Sequence, residues 1–368
     1  MKSISDIRIQ LRDRFVRFYT DDLVKISRKR RANQVFPRKA PYSQPLTQAQ
    51  KDEIIAFWKP YRDIEKEIKW FAFYNASCQD KSKLKYYIPD GVYFTDFDFP
   101  FTSPRRSDDL DDKNLYDLYF HDVKMPKTVI RLINGEYLDK DYHIIPEAHA
   151  MQLCADAGQV VCKEARLAFG GHSVRFFDFS KSTIEDFKSW LTNTHCDNIN
   201  VQEVIHQHES FGRLHPNSVN SLRIMSLMLD GEVHILSSIV RMGRDGAAVD
   251  NASEGGIMCG VSGDGQLGEF AYDENGNRWS QHPQGAVFKE SKVVGHEKCC
   301  ELIKALAGRM YTTSGIVSWD FAVDADGEPI LIEVNLTYGG VVIHQLCNGP
   351  IFGDMTEVML ERIYHRKS

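Results

Sequence analysis

Two apolar segments separated by the dipeptide Asp326–Gly327 constrain the fold of this chain more than any other feature. They belong to the stretch GIVSWDFAVDADGEPILIEVNLTYGG at residues 315–340, and an Asp-Gly pair between such segments is typical of a two-residue hairpin turn. With the turn at this dipeptide, Asp320 lies directly opposite Glu333, and Asn335 lies two residues further along the same face. The sequence therefore predicts a hairpin that brings two carboxylates and an amide together.

The opposite face of this hairpin is predicted to be an apolar layer suited to the core. Its members are Trp319, Phe321, Val323, Ile330, Ile332 and Val334. Two carboxylates facing each other across a sheet are destabilising unless a cation neutralises them. The oxygen ligands of Asp320, Glu333 and Asn335 suit Mg²⁺, which keeps positions open for phosphate oxygens. An exposed hairpin with outward polar residues is the alternative, and the register together with the apolar face favours the metal site.

A second group of residues is a candidate for binding phosphate. Lys163 lies in the apolar strand VVCKEA before the pair Gly170–Gly171, whose backbone N–H groups can approach an oxyanion. Arg223 and Arg241 alternate with apolar residues on two predicted strands joined by a turn at Asp230–Gly231. Arginine at such positions is costly unless it faces a ligand or a carboxylate. The alternatives are a surface lysine before an ordinary turn and arginines in salt bridges with Asp or Glu.

Length and cysteine usage place the chain in a broad class. Its 368 residues exceed one ordinary core and fit two or three packed subdomains. The absence of an apolar run of about 18 residues predicts no membrane span, and residues 1–15 lack the apolar stretch of a signal peptide. Eight scattered cysteines without a CxxC pattern favour reduced thiols and a cytoplasmic location. The pair Cys299–Cys300 is expected to consist of core thiols on a helix.

The N-terminal region is basic although the net charge of the chain is −6. Residues 1–40 contain twelve Lys/Arg and four Asp/Glu. One interpretation is attraction to a phosphate-rich partner, such as an anionic membrane surface contacted peripherally or a polyanionic carrier. The simpler alternative is a basic helix that packs on an acidic body. Residues 1–30 and 47–75 have helical spacing, and the Pro-rich stretch between them predicts a connector. The aromatic stretch 86–102 is predicted to be irregular, SKSTIEDFKSWL is predicted to be a helix with a Ser or Thr cap, and NVQEVIHQH is predicted to be a strand that continues to His208.

The spacing of Asp320, Glu333 and Asn335 resembles the metal signature of the ATP-grasp superfamily, and the resemblance begins at about Lys113. The family's segment with the first phosphate lysine resembles DDKNLYDLYFHDVKMPKTV. Its second lysine with the glycine lid resembles VVCKEARLAFGGHSV, and its hinge that holds adenine resembles VQEVI. SLRIMSLMLDGEV and IVRMGRDGAAVDNASEGG resemble later core strands and a substrate loop of glutamate-adding ligases. The resemblance implies that ATP is bound by Lys113, Lys163, Gly170, Gly171, Glu203, Val204 and Ile205, and substrate by Asn251, Gly255 and Gly256.

Most of the chain past residue 108 is most similar to the sugar-transfer associated ATP-grasp group. Three segments carry this similarity: Ser218–Arg223, Val249–Gly256 and His282–Pro283. The implied fold is an α/β (α+β) ATP-grasp fold in which two mixed or antiparallel sheet subdomains clasp ATP, with a mainly helical N-terminal extension. The expected regions are 1–108 (helical or irregular, with a role in acceptor binding), 109–205 (lid subdomain) and 206–368 (catalytic core).

Two departures from the family pattern affect the expected chemistry. The insertion HQHESFGRLHPN follows the hinge, so no ribose ligand is assigned. In D-alanine ligase-like members an Arg stands two residues before the metal Asp, whereas Ser318 stands there in this chain.

His206 and His208, with Glu209 and His215 nearby, are candidate zinc ligands. Paired histidines on an exposed face or in an acceptor pocket are the more common arrangement.

The resemblance implies an ATP-dependent carboxylate–amine ligase that uses Mg²⁺, with Mn²⁺ as a substitute. Arg223 and Arg241 would hold the transferring phosphoryl group or the acyl phosphate. The expected partners are a small acid and an amine, on a nucleotide- or lipid-linked sugar of surface-polysaccharide biosynthesis, and no nucleic acid. A kinase acting on a sugar-like hydroxyl and a non-catalytic nucleotide-binding scaffold are the alternatives. Asp320→Asn is expected to abolish turnover and leave the fold intact.

Overall fold

The described part of the chain forms twelve strands in two antiparallel sheets, together with helices. The structure is a computed structural model that describes residues 22–102, 112–166, 174–194, 196–245, 255–337 and 339–365, with residues 12, 14, 15, 110 and 250. The strands are β1 (Thr128–Ile133), β2 (Glu136–Leu138), β3 (Gln159–Glu164), β4 (Arg175–Asp178), β5 (Asn198–Glu203), β6 (Ser221–Leu229), β7 (Glu232–Met242), β8 (Ile257–Val261), β9 (Leu267–Tyr272), β10 (Arg278–Trp279), β11 (Ile316–Val323) and β12 (Pro329–Asn335).

Helices lie before, between and after these strands, and none that the structure describes is long and apolar enough to cross a bilayer. The longer ones are α1 (Leu23–Lys39), α2 (Gln48–Trp58), α3 (Ile68–Asn75), α4 (Glu147–Ala157), α5 (Ile184–Asn193), α6 (His296–Met310), α7 (Val342–Asn348) and α8 (Thr356–Tyr364). Short helical turns lie at Ala40–Tyr42, Glu65–Glu67, Lys81–Tyr86, Asp90–Val92, Tyr93–Asp98, Phe99–Phe101, Lys113–Leu115, Tyr116–Tyr119, Glu209–Gly212, Phe288–Glu290 and Gly353–Met355.

The smaller sheet has five strands in the order β2-β1-β5-β3-β4. Alternate residues of these strands, such as Ile130, Val160 and Val201, are buried in one core with side chains of α4 and α5. Helix α5 begins where the sequence predicts it, because the Thr183 hydroxyl accepts a hydrogen bond from the Asp186 backbone N–H in a capping box. Helices α4 and α5 cover one face of this sheet. The strand residues that alternate with the core positions, including Lys163, therefore lie on the other face.

The larger sheet has seven strands in the order β10-β9-β8-β7-β6-β11-β12 and separates two cores. One core surrounds Trp319 and includes the apolar side of α6. The other contains Met225, Leu227 and Ile316 together with apolar residues of α1 to α3, α7 and α8. The N-terminal helices and the C-terminal helices therefore pack on the same face of this sheet.

The N-terminal region differs from two expectations. Helix α1 continues to Lys39 with Pro37 inside it, so the predicted Pro-rich connector begins later than expected. The aromatic stretch 86–102 was predicted to be irregular, but it contains consecutive short helical turns from Asp90 to Phe101. Its side chains Tyr93 and Phe97 are buried in the core that covers the larger sheet, and this burial stabilises turns too short to persist alone.

The hairpin of β11 and β12 has the predicted pairing of Asp320 with Glu333, but it reaches that register differently. The turn has three residues rather than two: Asp324 and Glu328 pair through their backbones across Ala325–Gly327. One register shift between Asp320 and Phe321 restores the expected pairing. The shift also changes the apolar layer, because Leu331 is buried in the core around Trp319. Ile332 is only half-buried, and Ile330 lies outside that core.

Asp324, rather than Asp326 of the predicted turn, holds the end of this hairpin. Its Oδ1 accepts hydrogen bonds of 3.0 Å from the Asp326 N–H and 2.9 Å from the Glu328 N–H. It also forms an ion pair with Lys124, and it is buried, whereas Asp326 is exposed. Burial alone would raise the pKa of Asp324, but Lys124 and the two backbone N–H groups lower it below the ordinary value.

We expect Asp324→Ala to destabilise the protein by about 2 to 4 kcal/mol, because two charge-assisted hydrogen bonds are lost and two N–H groups lose their partner. Asp326→Ala removes an exposed carboxylate from the same turn and should change the free energy of unfolding by less than about 0.5 kcal/mol. Urea unfolding of both variants measures the difference. Equal effects of the two substitutions would contradict this description of the turn.

Candidate functional site

The predicted metal ligands belong to a row of side chains that crosses three neighbouring strands. Asp320 on β11 lies opposite Glu333 on β12 and opposite Arg223 on β6. Directly opposite residues share a face of the sheet, so these three side chains project in the same direction. Asn335 follows two residues later, and its Nδ2 lies 3.4 Å from Asp320 Oδ2. The structure thus brings Asp320, Glu333 and Asn335 together, while their role as metal ligands stays a prediction.

Asp320 is only 2% exposed, and two arginines neutralise it. Arg223 donates to both carboxylate oxygens, from Nε at 2.7 Å and from Nη2 at 2.6 Å, and Arg241 Nη1 donates at 3.1 Å. Burial by itself would raise the pKa of Asp320, but the charge and hydrogen bonds of Arg223, with Arg241, lower it. Each arginine therefore forms the salt bridge with Asp that was the alternative to facing a ligand, and both arginines still lie in the candidate site.

Asp250 is a member of this cluster that sequence reasoning missed. Its Oδ1 lies 3.3 Å from Arg241 Nη2, and its Oδ2 accepts from the Ser221 N–H at 3.1 Å and from the Ser221 hydroxyl. Arg241 therefore bridges two carboxylates, which fixes the guanidinium plane between Asp250 and Asp320. The signal was present in the sequence, because Asp250 lies within the VDN segment that carries the family resemblance.

The two predicted phosphate lysines approach the same carboxylates from the smaller sheet. Lys113 Nζ lies 2.8 Å from Glu333 Oε1, and the Lys113 N–H donates to the carbonyl of Ala165 at the end of β3. Burial lowers the pKa of Lys163, and Lys113 adds to that effect while Glu333 opposes it. Among the described residues Lys163 forms no ion pair. Both lysines thus face the hairpin across the space between the sheets.

Three carboxylates and four cations leave this cluster with one net positive charge, which suits an anionic ligand. The carboxylates are Asp250, Asp320 and Glu333, and the cations are Lys113, Lys163, Arg223 and Arg241. Glu333 is 22% exposed and fits a divalent ion directly. Asp320 fits in chemical type, but both of its oxygens already accept from guanidinium groups. Coordination through Asp320 would therefore require Arg223 to turn away, and a phosphate is the natural acceptor for it.

Arg131 positions Lys113 and was also missed. It is only 1% exposed on β1, and it donates to the carbonyls of Asn114, Asp139 and Lys140 at 2.9 to 3.1 Å. It also forms an ion pair with Asp117. These contacts attach the Lys113 segment to the smaller sheet. Arg131 alternates with Ile and Leu in TVIRLI. An arginine that alternates with apolar residues on a strand was the reason to select Arg223 and Arg241, and the same reason applies to Arg131.

His344 lies beneath the arginine pair. It is on α7, fully buried, and its Nδ1 lies 2.8 Å from the Ser237 hydroxyl on β7. Burial, together with the charges of Arg223 and Arg241, lowers its pKa to about 3, although Asp320 opposes this effect, so the ring is neutral at physiological pH. A neutral histidine avoids the repulsion that a cation would meet near these two arginines. No sequence pattern distinguished it from an ordinary core residue.

The predicted adenine hinge lies at the other end of the smaller sheet. β5 ends at Glu203, which pairs with Val160, whereas Lys163 pairs with Asn200 on the same two strands. Three residues along a strand separate the hinge from the phosphate lysine by about 10 Å. A polar cavity of about 410 Å³ adjoins the hinge. It is lined by Ala157, Gly158, Gln159, Asp178, Ser180, Glu203, Val204 and His206.

Some predicted residues lie outside the cluster or outside the described residues. Gly170, Gly171 and Asn251 are not among the residues that the structure describes. Gly255 has a φ of +84°, a conformation that favours glycine. A Cβ at this position would point to Arg244 rather than to the hairpin. Gly256 is buried beside it. Val204 and Ile205 follow β5 and are half-buried, so the strand that was predicted to continue to His208 ends five residues earlier.

The histidines after the hinge do not form a zinc site in the part of the chain that the structure describes. His206 is exposed, and the His208 ring caps the short helical turn Glu209–Gly212. His215 is buried and contacts the Ser218 hydroxyl at 2.9 Å, and burial lowers its pKa. Cys299 is in the core as expected, whereas Cys300 is only half-buried against that core, and the eight cysteines form no disulfide.

Solved structures offer distant similarities. D-alanyl-alanine synthetase A from Vibrio cholerae aligns at 11% identity with a TM-score of 0.44, over 72% of this chain and 67% of that one. An L-amino acid ligase from Bacillus licheniformis aligns at 15% identity with a TM-score of 0.40, over 69% of this chain and 47% of the other. D-cycloserine synthetase DcsG aligns at 14% identity with a TM-score of 0.42, over 83% and 81%. This chain spans about half the length of the L-amino acid ligase.

A family comparison gives a closer assignment. Curated protein sequences provide no significant match to this chain. The model of the sugar-transfer associated ATP-grasp family, in contrast, matches residues 95–358, which is more than two thirds of the 368 residues. The matched range contains both sheets and every member of the charged cluster. The chain therefore belongs to the sugar-transfer associated ATP-grasp family, and its two antiparallel sheets form an ATP-grasp fold.

Proposed function

We propose that the protein is an ATP-dependent ligase that joins a carboxylic acid to an amine through an acyl phosphate. The observation that supports this most strongly is the row Arg223, Asp320, Glu333 and Lys113, in which two carboxylates suited to a divalent ion lie between two cations suited to phosphate. Such a row would bind a nucleotide triphosphate together with its cation. Membership of an ATP-grasp family supports ATP as that nucleotide.

Each residue of the cluster has a distinct part in this proposal. Lys113 and Lys163 would neutralise the phosphates, and the hinge at Glu203 and Val204 would hold the base through its backbone. Asp320, Glu333 and Asn335 would hold Mg²⁺ or Mn²⁺, which when bound screens the phosphate charge and polarises the transferring group. Arg223, released from Asp320, would turn toward the transferring phosphoryl group, while Asp250 keeps Arg241 in place.

The proposed reaction has two steps. A carboxylate oxygen attacks the γ-phosphorus, the bond to the bridging oxygen breaks, and ADP leaves with that electron pair. The amine nitrogen then attacks the acyl carbon, inorganic phosphate departs, and the nitrogen loses a proton as the amide forms. The protein supplies position and charge to both steps, because neither requires a covalent enzyme intermediate. The substrate that we propose is an acid or amine on a nucleotide- or lipid-linked sugar of surface-polysaccharide biosynthesis, in the cytoplasm. The family's association with sugar transfer supports the sugar in this proposal.

Ser318 supports a second candidate, a kinase that transfers phosphate to a sugar-like hydroxyl. This residue stands where the resemblance to D-alanine ligase-like proteins places an oxyanion-binding Arg. It is buried against Gly339, where an added Cβ would lie 2.5 Å from the Ser318 hydroxyl. No arginine fits in so tight a space, so the oxyanion of an acyl transfer would depend on Arg223 or Arg241. A phosphoryl transfer to a hydroxyl needs no such group.

The ion pairs around Asp320 change the expectation for its substitution. Asp320→Asn leaves the buried Arg223 without its carboxylate and leaves Arg241 with Asp250 alone, and breaking a buried pair costs about 3 to 5 kcal/mol. The prediction that this substitution leaves the fold intact stays untested, and the loss of this buried pair counts against it. Glu333 is a better target, because its partly exposed carboxylate lies at the edge of the cluster.

We expect Glu333→Gln to lose most of the stabilisation that ATP with Mg²⁺ gives the protein. A ligand present at 100 times its dissociation constant stabilises by about 2.7 kcal/mol, so the unvaried protein should melt several degrees higher with both ligands. Glu328→Gln changes an exposed carboxylate of the same hairpin and serves as the matched control. Thermal melts with ATP, with Mg²⁺ and with both together measure the effect. A full shift retained by Glu333→Gln would refute the metal assignment.

The ligase proposal also predicts the stoichiometry of turnover. With the correct acid and amine, each ADP formed should be accompanied by one inorganic phosphate and one product heavier by the amide linkage. A screen of ATP, Mg²⁺ and a matrix of amino acids and sugar acids, read by phosphate release and mass spectrometry, tests this. ADP with a stable phosphorylated product and no free phosphate would establish the kinase instead. Nucleotide binding without turnover of any acceptor would favour the scaffold.

A further inference from the structure

Helix α1 carries more positive charge than its packing uses. Its 17 residues, LVKISRKRRANQVFPRK, include seven Lys or Arg and no Asp or Glu. Two of the seven serve the fold: Arg28 Nη1 lies 2.7 Å from Asp98 Oδ2 in a buried pair, and Lys39 donates to the carbonyl of Glu274. These contacts fit the simpler interpretation of a basic helix packed on an acidic body, but they account for only part of the charge.

The outward side of α1 combines unused cations with exposed apolar side chains. Lys29, Arg30, Arg31 and Arg38 are exposed, and the described residues provide no ion-pair partner for them. Leu23 is 38% exposed and Ile26 is 44% exposed. Leu23, Ile26 and Arg30 follow one another at helical spacing, so they share one face, and that face lies opposite the buried Arg28 and Ala32.

From this arrangement we propose that α1 is a docking surface for an anionic lipid bilayer. Acidic headgroups attract the exposed cations, and the boundary between headgroups and acyl chains accepts apolar side chains that are one turn apart. A nucleic acid would satisfy the cations and leave Leu23 and Ile26 in water, so it matches only half of the surface. The helix would lie in the plane of the interface, since its polar and charged residues prevent it from crossing the bilayer.

This inference stands independently of the proposed ligase reaction. The surface is formed by Leu23, Ile26 and the cations from Lys29 to Arg38, and none of these residues belongs to the charged cluster at Asp320. Arg28 anchors the helix to Asp98, at the end of the helical turn Tyr93–Asp98, so the helix stays attached to the body while its outer face is free to bind. Docking would hold the whole protein at a membrane surface.

Co-sedimentation of the full chain with vesicles tests the proposal. We expect binding to vesicles of phosphatidylcholine mixed with phosphatidylglycerol, no binding to phosphatidylcholine alone, and weaker binding as salt rises. The double variant Lys29→Glu/Arg30→Glu should bind the mixed vesicles at least about 30-fold more weakly, since each cation lost near the surface costs a factor of about five. Leu23→Ser/Ile26→Ser should also weaken binding and leave its dependence on salt in place.

Lys66→Glu/Lys83→Glu provides the matched control, because it reverses two exposed lysines outside α1 in the N-terminal region. It should bind the mixed vesicles within about twofold of the unvaried protein, and circular dichroism should show that every variant is folded. Three results would overturn the proposal. They are failure to bind the mixed vesicles, equal losses in the control and the α1 variants, and capture by duplex DNA or heparin without capture by vesicles.

Discussion

The buried carboxylate of Asp320 and the two arginines that neutralise it are the interaction on which the rest of the site depends. A charge at that depth is unfavourable without partners, so β6, β7 and β11 must present Arg223, Arg241 and Asp320 in one register. In the proposed function, Asp320 would become available as a ligand only when an anion competes for the arginines. A triphosphate with its cation would supply both replacements at once, and metal coordination would then be coupled to phosphate binding.

The second constraint is that two separate sheets must meet at this cluster. Arg131 holds the Lys113 segment on the smaller sheet, and Lys113 then reaches Glu333 on the larger one. This ion pair joins the sheets directly. A ligand that attracts Lys113 or Glu333 would therefore change this contact between the two sheets.

Short-range patterns in the sequence were sufficient for the elements that carry this site. The turn at Asp230–Gly231, the capped helix α5 and the alternation around Arg223 all follow from local preferences, and the structure has each of them. The hairpin shows the limit of such reasoning. A three-residue turn and a bulge near Ile332 compensate each other, so the predicted pairing of Asp320 with Glu333 is present although the predicted turn is not.

What the sequence did not specify depends on tertiary contacts. Asp250 and Arg131 carried sequence signals, but those signals did not identify their partners, which lie at least eight residues away. No sequence pattern distinguished His344, whose position depends on Ser237. The face that carries Arg223 and Asp320 continues into Met225, Leu227 and Ile316, which are covered by the N-terminal helices. The N-terminal region therefore adjoins the charged cluster along one sheet face. An acceptor that approached the cluster from this side would pass residues of that region, which supports the expected role of the N-terminal extension in acceptor binding.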